Sequence, residues 1–284
     1  MPQPDLTITN ATDSSRPIRR SLTKKKIDVK WLLLRVLRKR IGIDLVLARK
    51  NPNIMDFIDN RKINLVLDVG ANTGQFGQWL RHRGYIGRIV SFEPVKEAFV
   101  ELESAARGDD LWTTSNIAIG SSSGVMAINV SKNTQFSSFN DLTATGKIFD
   151  RDAEFKTSEN VVVRTLDEVA PPGDSGSNIL LKIDTQGYER HVLKGAKDTL
   201  KNVSGVFLEL PIIDIYNNNW LFHEGVAYMN ELGFILAQVH PVNVIYNSAR
   251  DSATEFDCLF RPIDPAIDVI TEAGQGAARL NLVA

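Results

Sequence analysis

From residue 60 onward, short apolar runs alternate with longer segments whose apolar positions recur every three or four residues. The run NLVLDV at 64–69 reads as a strand buried on both faces, and a glycine-containing turn separates it from a helix over 75–83. A strand at 88–92, a helix over 96–106 and a strand at 111–119 follow. Residues 124–130 and 160–166 read as additional strands flanking a polar loop, 131–159. Then come a strand at 179–184, a helix over 188–200, a strand at 205–209, a helix over 221–232 and two last strands, 234–239 and 256–260. This alternation predicts the α/β class: a mostly parallel, doubly wound sheet covered on both faces, with ligands at the carboxyl ends of its strands.

The pattern before residue 60 is different. Residues 1–21 are rich in Pro, Thr, Ser and Asn without an apolar period and read as a disordered tail, and residues 263–284 form a C-terminal tail beyond the domain. Residues 22–59 read as a basic helical segment, in which Ile27, Trp31, Leu34, Leu37 and Ile41 share one face. Charge sharpens that division. The whole 284-residue chain has a formal net charge of -1, yet residues 16–50 hold 13 of its 33 Lys and Arg against two acids, Asp28 and Asp44. From residue 51 the count is 20 basic against 30 acidic. The basic helix over 22–48 has two readings: contact with an anionic membrane surface, or packing of its apolar stripe onto the domain. The acidic body argues against nucleic acid as a partner. A single cysteine, Cys258, excludes a disulfide framework and a cysteine-rich metal site and points to the cytoplasm, and its place in the last strand predicts that it is packed inside.

The most informative stretch is LVLDVGANTGQF, residues 65–76. Gly70 and Gly74 permit a sharp turn and close approach of a ligand to the backbone. Asp68 at the strand end suits a ligand carrying an ammonium group. A dinucleotide fingerprint would place glycine where Asn72 stands, which counts against the alternative of an NAD-dependent oxidoreductase. Glu93, in SFEP at the end of the second strand, is placed to accept hydrogen bonds from a ribose diol.

Together LVLDVGANTG, SFEP, SNIAIGSSSG, RTLDEV and LLKIDTQGYERHVLKGA resemble the FkbM-type family of class I S-adenosylmethionine-dependent methyltransferases, over residues 60–262. The resemblance implies a Rossmann-like fold whose seven-stranded sheet has one antiparallel strand. It also implies a methyl transfer from S-adenosylmethionine to a hydroxyl, of a sugar, a glycolipid or a polyketide-like small molecule. Carried over by position, Asp68, Gly70, Asn72 and Gly74 surround the methionine part of the cofactor, Glu93 binds the ribose, and Asn116 and Ala118 lie beside the adenine.

An alcohol acceptor must lose its proton, and Asp184, at the carboxyl end of the strand 179–184, is the candidate catalytic group. Asp184, Glu189 and Glu209 could together hold a divalent cation such as Mg2+. Against that, the family's usual carboxylate at position 186 is Gln186 here, and the acids at 184 and 189 also fit a helix cap and first turn. None of the four histidines has the spacing of a helical zinc site. The loop 131–159 interleaves Asn133, Gln135 and Ser137 with Phe136 and Phe139, which suits a lid over a polyhydroxylated acceptor or, alternatively, a surface insertion. A noncatalytic, membrane-associated scaffold with the same fold is the other class of reading.

Overall fold

The computed structural model describes residues 53–149, 154–171, 177–245 and 252–268. The predicted tail at 1–21 and the helix over 22–48 lie outside the described residues. No helix among the described residues is long and apolar enough to cross a membrane.

The described chain opens with α1 (Ile54–Asn60), where Asn53 and Asp56 form a reciprocal capping box. Then β1 (Leu65–Val69) leads into α2 (Gln75–His82), β2 (Arg88–Phe92) into α3 (Lys96–Ala106), and β3 (Trp112–Ser115) ends the first half. All five residues of β1 are buried, because alternate side chains enter two different cores. Leu65, Leu67 and Val69 join one core with Leu181 and Phe260, and Val66 joins the other with Leu80, Ile89 and Leu180. Each such side chain contributes about 1.5–3 kcal/mol by leaving water. A strand with two apolar faces belongs in the middle of a covered sheet.

The predicted strand 111–119 divides. After β3, the chain passes through Asn116 and re-enters as β4 (Ala118–Ile119), which belongs to a second, three-stranded sheet with β5 (Gly124–Ser131) and β6 (Phe155–Arg164) in the order β4-β6-β5. Between β5 and β6 lie a 3-10 turn at Thr134–Phe136 and α4 (Ala144–Phe149). The polar loop is therefore shorter than expected, since β6 starts five residues before the apolar run at 160 that marks it in sequence.

The main sheet resumes after α5 (Leu166–Val169) with β7 (Ile179–Ile183), α6 (Glu189–Lys194), β8 (Val203–Pro211), α7 (Phe222–Glu231), β9 (Phe234–Ile245) and β10 (Ser252–Pro262). The helix expected over 188–200 ends at Gly195, where an added Cβ would meet the Gly120 carbonyl at 2.0 Å, and a 3-10 turn at Thr199–Asn202 replaces its last turn. The sheet order is β3-β2-β1-β7-β8-β10-β9. β10 pairs antiparallel with both β8 and β9 and is the one antiparallel strand of the seven. Cys258 on β10 is fully buried, as its apolar neighbourhood predicts. The chain order reverses between β1 and β7, so the crevice for a ligand opens at the carboxyl ends of these two strands.

The two strand ends touch through Gly70. Its φ is +75°, and a Cβ there would lie 1.9 Å from the Asp184 carbonyl oxygen. Both the left-handed backbone and this contact demand glycine. Gly70→Ala is accordingly expected to lower stability by at least about 2 kcal/mol, and urea unfolding of the two proteins measures it.

Candidate active site

A cavity of about 530 Å3 lies over the carboxyl ends of β1, β2, β7 and β8. That volume falls within the range of pockets for small molecules. Its walls include Gly70, Asn72, Glu93, Ala118 and Asp184, five residues singled out in the sequence.

At the β1 end, Asn72 stands in the left-handed region with φ 47°, the conformation a glycine would supply and one that Asn tolerates. This places its backbone N–H 2.8 Å from Glu93 Oε2, while the Val95 N–H donates to Glu93 Oε1 at 2.8 Å. Glu93 is 5% exposed, and burial pushes its carboxyl up to about 7, against the pull of those two N–H groups and of Lys182. Each oxygen has received one hydrogen bond and retains a lone pair for a diol. The same contacts make Glu93 the cap of its own turn, so the capping and ligand-binding readings coexist.

Three of the expected cofactor residues are placed differently. Asp68 is fully buried and is not part of the cavity wall: Lys182 Nζ lies 3.1 Å from its Oδ1, and the Ser91 hydroxyl donates to its Oδ2 at 3.2 Å. The ammonium that Asp68 meets is the chain's own. Gly74, with φ 86°, starts α2 and packs against Leu102, Ala105 and Trp112. Asn116 turns away and donates to the carbonyls of Glu93 and Pro94 at 2.8 and 3.0 Å, bracing the turn that carries Glu93.

At the β7 end, Asp184 leaves the sheet with its side chain 37% exposed. The following turn takes left-handed φ values at Gln186 (53°) and Gly187 (94°), an arrangement that costs a glutamine about 1–2 kcal/mol. What holds it is the Gln186 side chain. Its Nε2 donates to Asp184 Oδ1 at 3.0 Å and to Glu209 Oε2 at 3.3 Å, and its Oε1 accepts from the Tyr216 hydroxyl at 3.0 Å. A glutamate at 186 would face two carboxylates with no proton to offer, so the amide is the residue that fits. Glu255 and Asp257 on β10 join Glu209 in the cavity wall. Burial and the nearby Asp184 push the Asp257 carboxyl up to about 6, and burial lifts Glu209 well above the usual carboxylate range.

The acid trio expected for a cation does not assemble. Glu189 is buried and its Oε1 accepts from the N–H groups of Thr185 and Gly187, both at 3.0 Å, and from the Thr185 hydroxyl at 3.1 Å. It serves as the cap of the 184–187 turn. The cation beside Asp184 is Lys182 Nζ at 3.5 Å, and among the described residues no cluster of three His, Cys, Asp or Glu has the geometry to hold a metal ion. These donors, committed to the N–H groups of the 184–187 turn and to Lys182, do not fit Mg2+.

Sequence reasoning missed Lys182, Tyr216, Glu255 and Asp257. Lys182 could have been found, because a lysine in the otherwise apolar strand ILLKI is a charge that must be paired inside. Tyr216 and the β10 acids reach the site only through tertiary packing. A row of rings also escaped notice: Phe76 stacks on Trp79 and on Phe207, with centroids 5.9 and 6.0 Å apart, and all three line the cavity. The segment 133–140 closes one side, tied to Asn72 by the Thr134 hydroxyl at 3.2 Å and to the 184–187 turn by Ser138 and Asn140, which donate to the carbonyls of Gln186 and Gly187 at 2.6 and 2.8 Å.

Residues 68–236 match the family model described as methyltransferase FkbM domain. No curated protein matches the chain. Among solved structures, a TehB-like S-adenosylmethionine-dependent methyltransferase from Corynebacterium glutamicum is 9% identical, with 70% of this chain and 80% of that one covered and a TM-score of 0.37. A putative S-adenosylmethionine-dependent methyltransferase from Listeria monocytogenes is 7% identical, covering 71% and 90%, with a TM-score of 0.43. One from Methanosarcina mazei is 9% identical, covering 73% and 97%, with a TM-score of 0.41. Likenesses this faint carry no argument. The family match, spanning more than half of a chain with this sheet order and this crevice, shows the family: the chain belongs to the FkbM-type family of S-adenosylmethionine-dependent methyltransferases.

Proposed function

We propose that this methyltransferase acts on a hydroxyl group, of a sugar, a glycolipid or a polyketide-like small molecule, and that Asp184 is its general base. The observation that supports this reading is the common wall: Glu93, suited to a ribose, and the partly exposed Asp184, suited to taking a proton, line one cavity. The family's cofactor fits the half of the cavity nearer β1 and β2. Glu93 offers free lone pairs to a ribose, and Gly70, Asn72 and Ala118 supply a wall with little side-chain bulk. When bound there, S-adenosylmethionine would supply an electrophilic methyl group on sulfur. Asp184 would take the acceptor's O–H proton at a carboxylate oxygen during the transfer. Asp184 is held for that task by Gln186 on one oxygen and Lys182 near the other. The Phe207, Phe76 and Trp79 rings offer a flat apolar surface to the face of an acceptor ring.

Incubation with methyl-tritiated S-adenosylmethionine and a panel of neutral glycolipids, soluble glycans, polyols, amines and RNA tests the reading. Label is expected in the hydroxyl compounds as an ether stable to alkali. Label confined to amines or to the nucleobases of RNA would refute the hydroxyl acceptor while leaving methyl transfer intact, and label confined to RNA ribose would refute the sugar, glycolipid or polyketide-like acceptor.

A further inference from the structure

The sequence pairs Asp68 with a ligand's ammonium, yet in the structure that place is taken by Lys182, a residue with no assigned role. β1 and β7 are parallel neighbours, and Asp68 and Lys182 are register partners on them. The lysine is 7% exposed, so its charge has left water and needs partners for all three of its N–H bonds. Three oxygens surround it: Gly70 O accepts its hydrogen bond at 3.0 Å, and Asp68 Oδ1 at 3.1 Å and Asp184 Oδ2 at 3.5 Å pair with its charge. Its Nζ also lies 5.8 Å from the centroid of the Phe76 ring, which closes the fourth side. Asp68 is in turn fixed by the Ser91 hydroxyl, itself 3.0 Å from Trp112 Nε1. A line of polar contacts thus runs from β3 across β2 and β1 to β7 and ends under the turn that lines the cavity. Of the groups around the ammonium, Gly70, Asp184 and Phe76 line the cavity, as does Lys182 itself, while Asp68 lies behind the wall.

We infer that Lys182 is a positioning residue for cofactor binding: its ammonium, hydrogen-bonded to the Gly70 carbonyl and paired with the Asp184 carboxylate, fixes the turn 70–74 against the Asp184 strand end. The inference rests on the cavity being the cofactor site. Neutralising Asp68 is a different and lesser role, for which any charge-matched pair would serve. Positioning needs an N–H donor to Gly70 O and a positive charge beside Asp184, neither of which a methionine of similar length supplies.

The two roles separate in three variants, Lys182→Met, Asp68→Asn and the charge-matched Asp68→Asn/Lys182→Met, titrated calorimetrically with S-adenosylhomocysteine. Lys182→Met is expected to weaken binding 10- to 100-fold. The double variant is expected to melt closer to the wild type than Lys182→Met does, and still to bind at least 10-fold more weakly than wild type. Wild-type affinity in either protein would overturn the inference. If Lys182→Met fails to fold, the double variant decides. If both fail, the wild-type protein decides: 15N spectra of labelled lysine should show one ammonium protected from solvent exchange whose resonance moves when S-adenosylhomocysteine is added, and no such resonance, or one indifferent to ligand, overturns it. Glu93→Ala serves as the control on the premise. Unchanged affinity in that variant would remove the cavity as the cofactor site, whereas lost affinity there beside wild-type affinity in the lysine variants would remove only the role of Lys182.

Discussion

Asp184→Asn is expected to slow methyl transfer by about 10²–10⁴-fold, the usual contribution of a positioned general base, while S-adenosylhomocysteine affinity changes less than fivefold. The substitution keeps the size of the side chain but removes its ability to take a proton. It also presents an amide N–H to one of two existing donors, Gln186 Nε2 and Lys182 Nζ, so some rearrangement of the turn accompanies it. Turnover measured with whichever hydroxyl compound the labelled panel identifies, alongside calorimetry, separates the two effects. Wild-type turnover would take Asp184 out of the mechanism.

Glu93→Ala is expected to raise the dissociation constant of S-adenosylhomocysteine by about 10²–10⁴-fold, since two hydrogen bonds to a charged group, each of about 1.5–3 kcal/mol, are lost. It also strips the acceptors from the N–H groups of Asn72 and Val95, which adds a structural component. Glu93→Gln isolates the charge. With the Glu93 carboxyl raised by burial to about 7, its ionised form is scarce in slightly acidic solution. Binding that uses the carboxylate as an acceptor should therefore weaken up to about tenfold per pH unit below 7 and level off above it. The stability effect has the opposite sign. A folded pKa above the unfolded one means that the native state holds the proton more tightly, so stability falls as pH rises toward 7 and is flat beyond. Calorimetry between pH 5.5 and 8.5 should show the slope in the wild type and a flat profile in Glu93→Gln. A sloping profile in the variant would assign the titration elsewhere, with Asp257 at about 6 as the next group to test.

Much of the scaffold was legible because it rests on local signals. β1 and β7 announce themselves as runs with two apolar faces, and the turns after them announce themselves by glycines at 70, 74 and 187 that the structure holds at positive φ. The division of 111–119 was not legible, since Asn116 is a polar residue in an otherwise continuous strand pattern and its function as a brace for Glu93 depends on a residue 23 positions away. Within the site, Gly70, Asn72, Glu93, Ala118 and Asp184 were found by motif and do share a cavity. An acid at the strand end suits a ligand's ammonium, yet Asp68 meets that of Lys182. Which side of the sheet edge a carboxylate serves is settled by its register partner on the neighbouring strand, and that pairing is not visible in one strand's sequence. The same reason hides the approach of Glu255 and Asp257, which arrive on the antiparallel strand some 70 residues later than Asp184.

The segment 133–140 bonds to the turn after β1 at one end and to the turn after β7 at the other. The β1 and β7 sides of the cavity consequently share one structural member, much as two rooms share a wall. Substitutions in the two turns should therefore show epistasis although no side chain of one turn need touch the other: their free-energy effects will not add, because each alters the strap against which the other is braced. A scan of this enzyme that scores each half separately would misattribute those effects, and pairs combining a change near Asn72 with one near Gln186 are the informative ones to make.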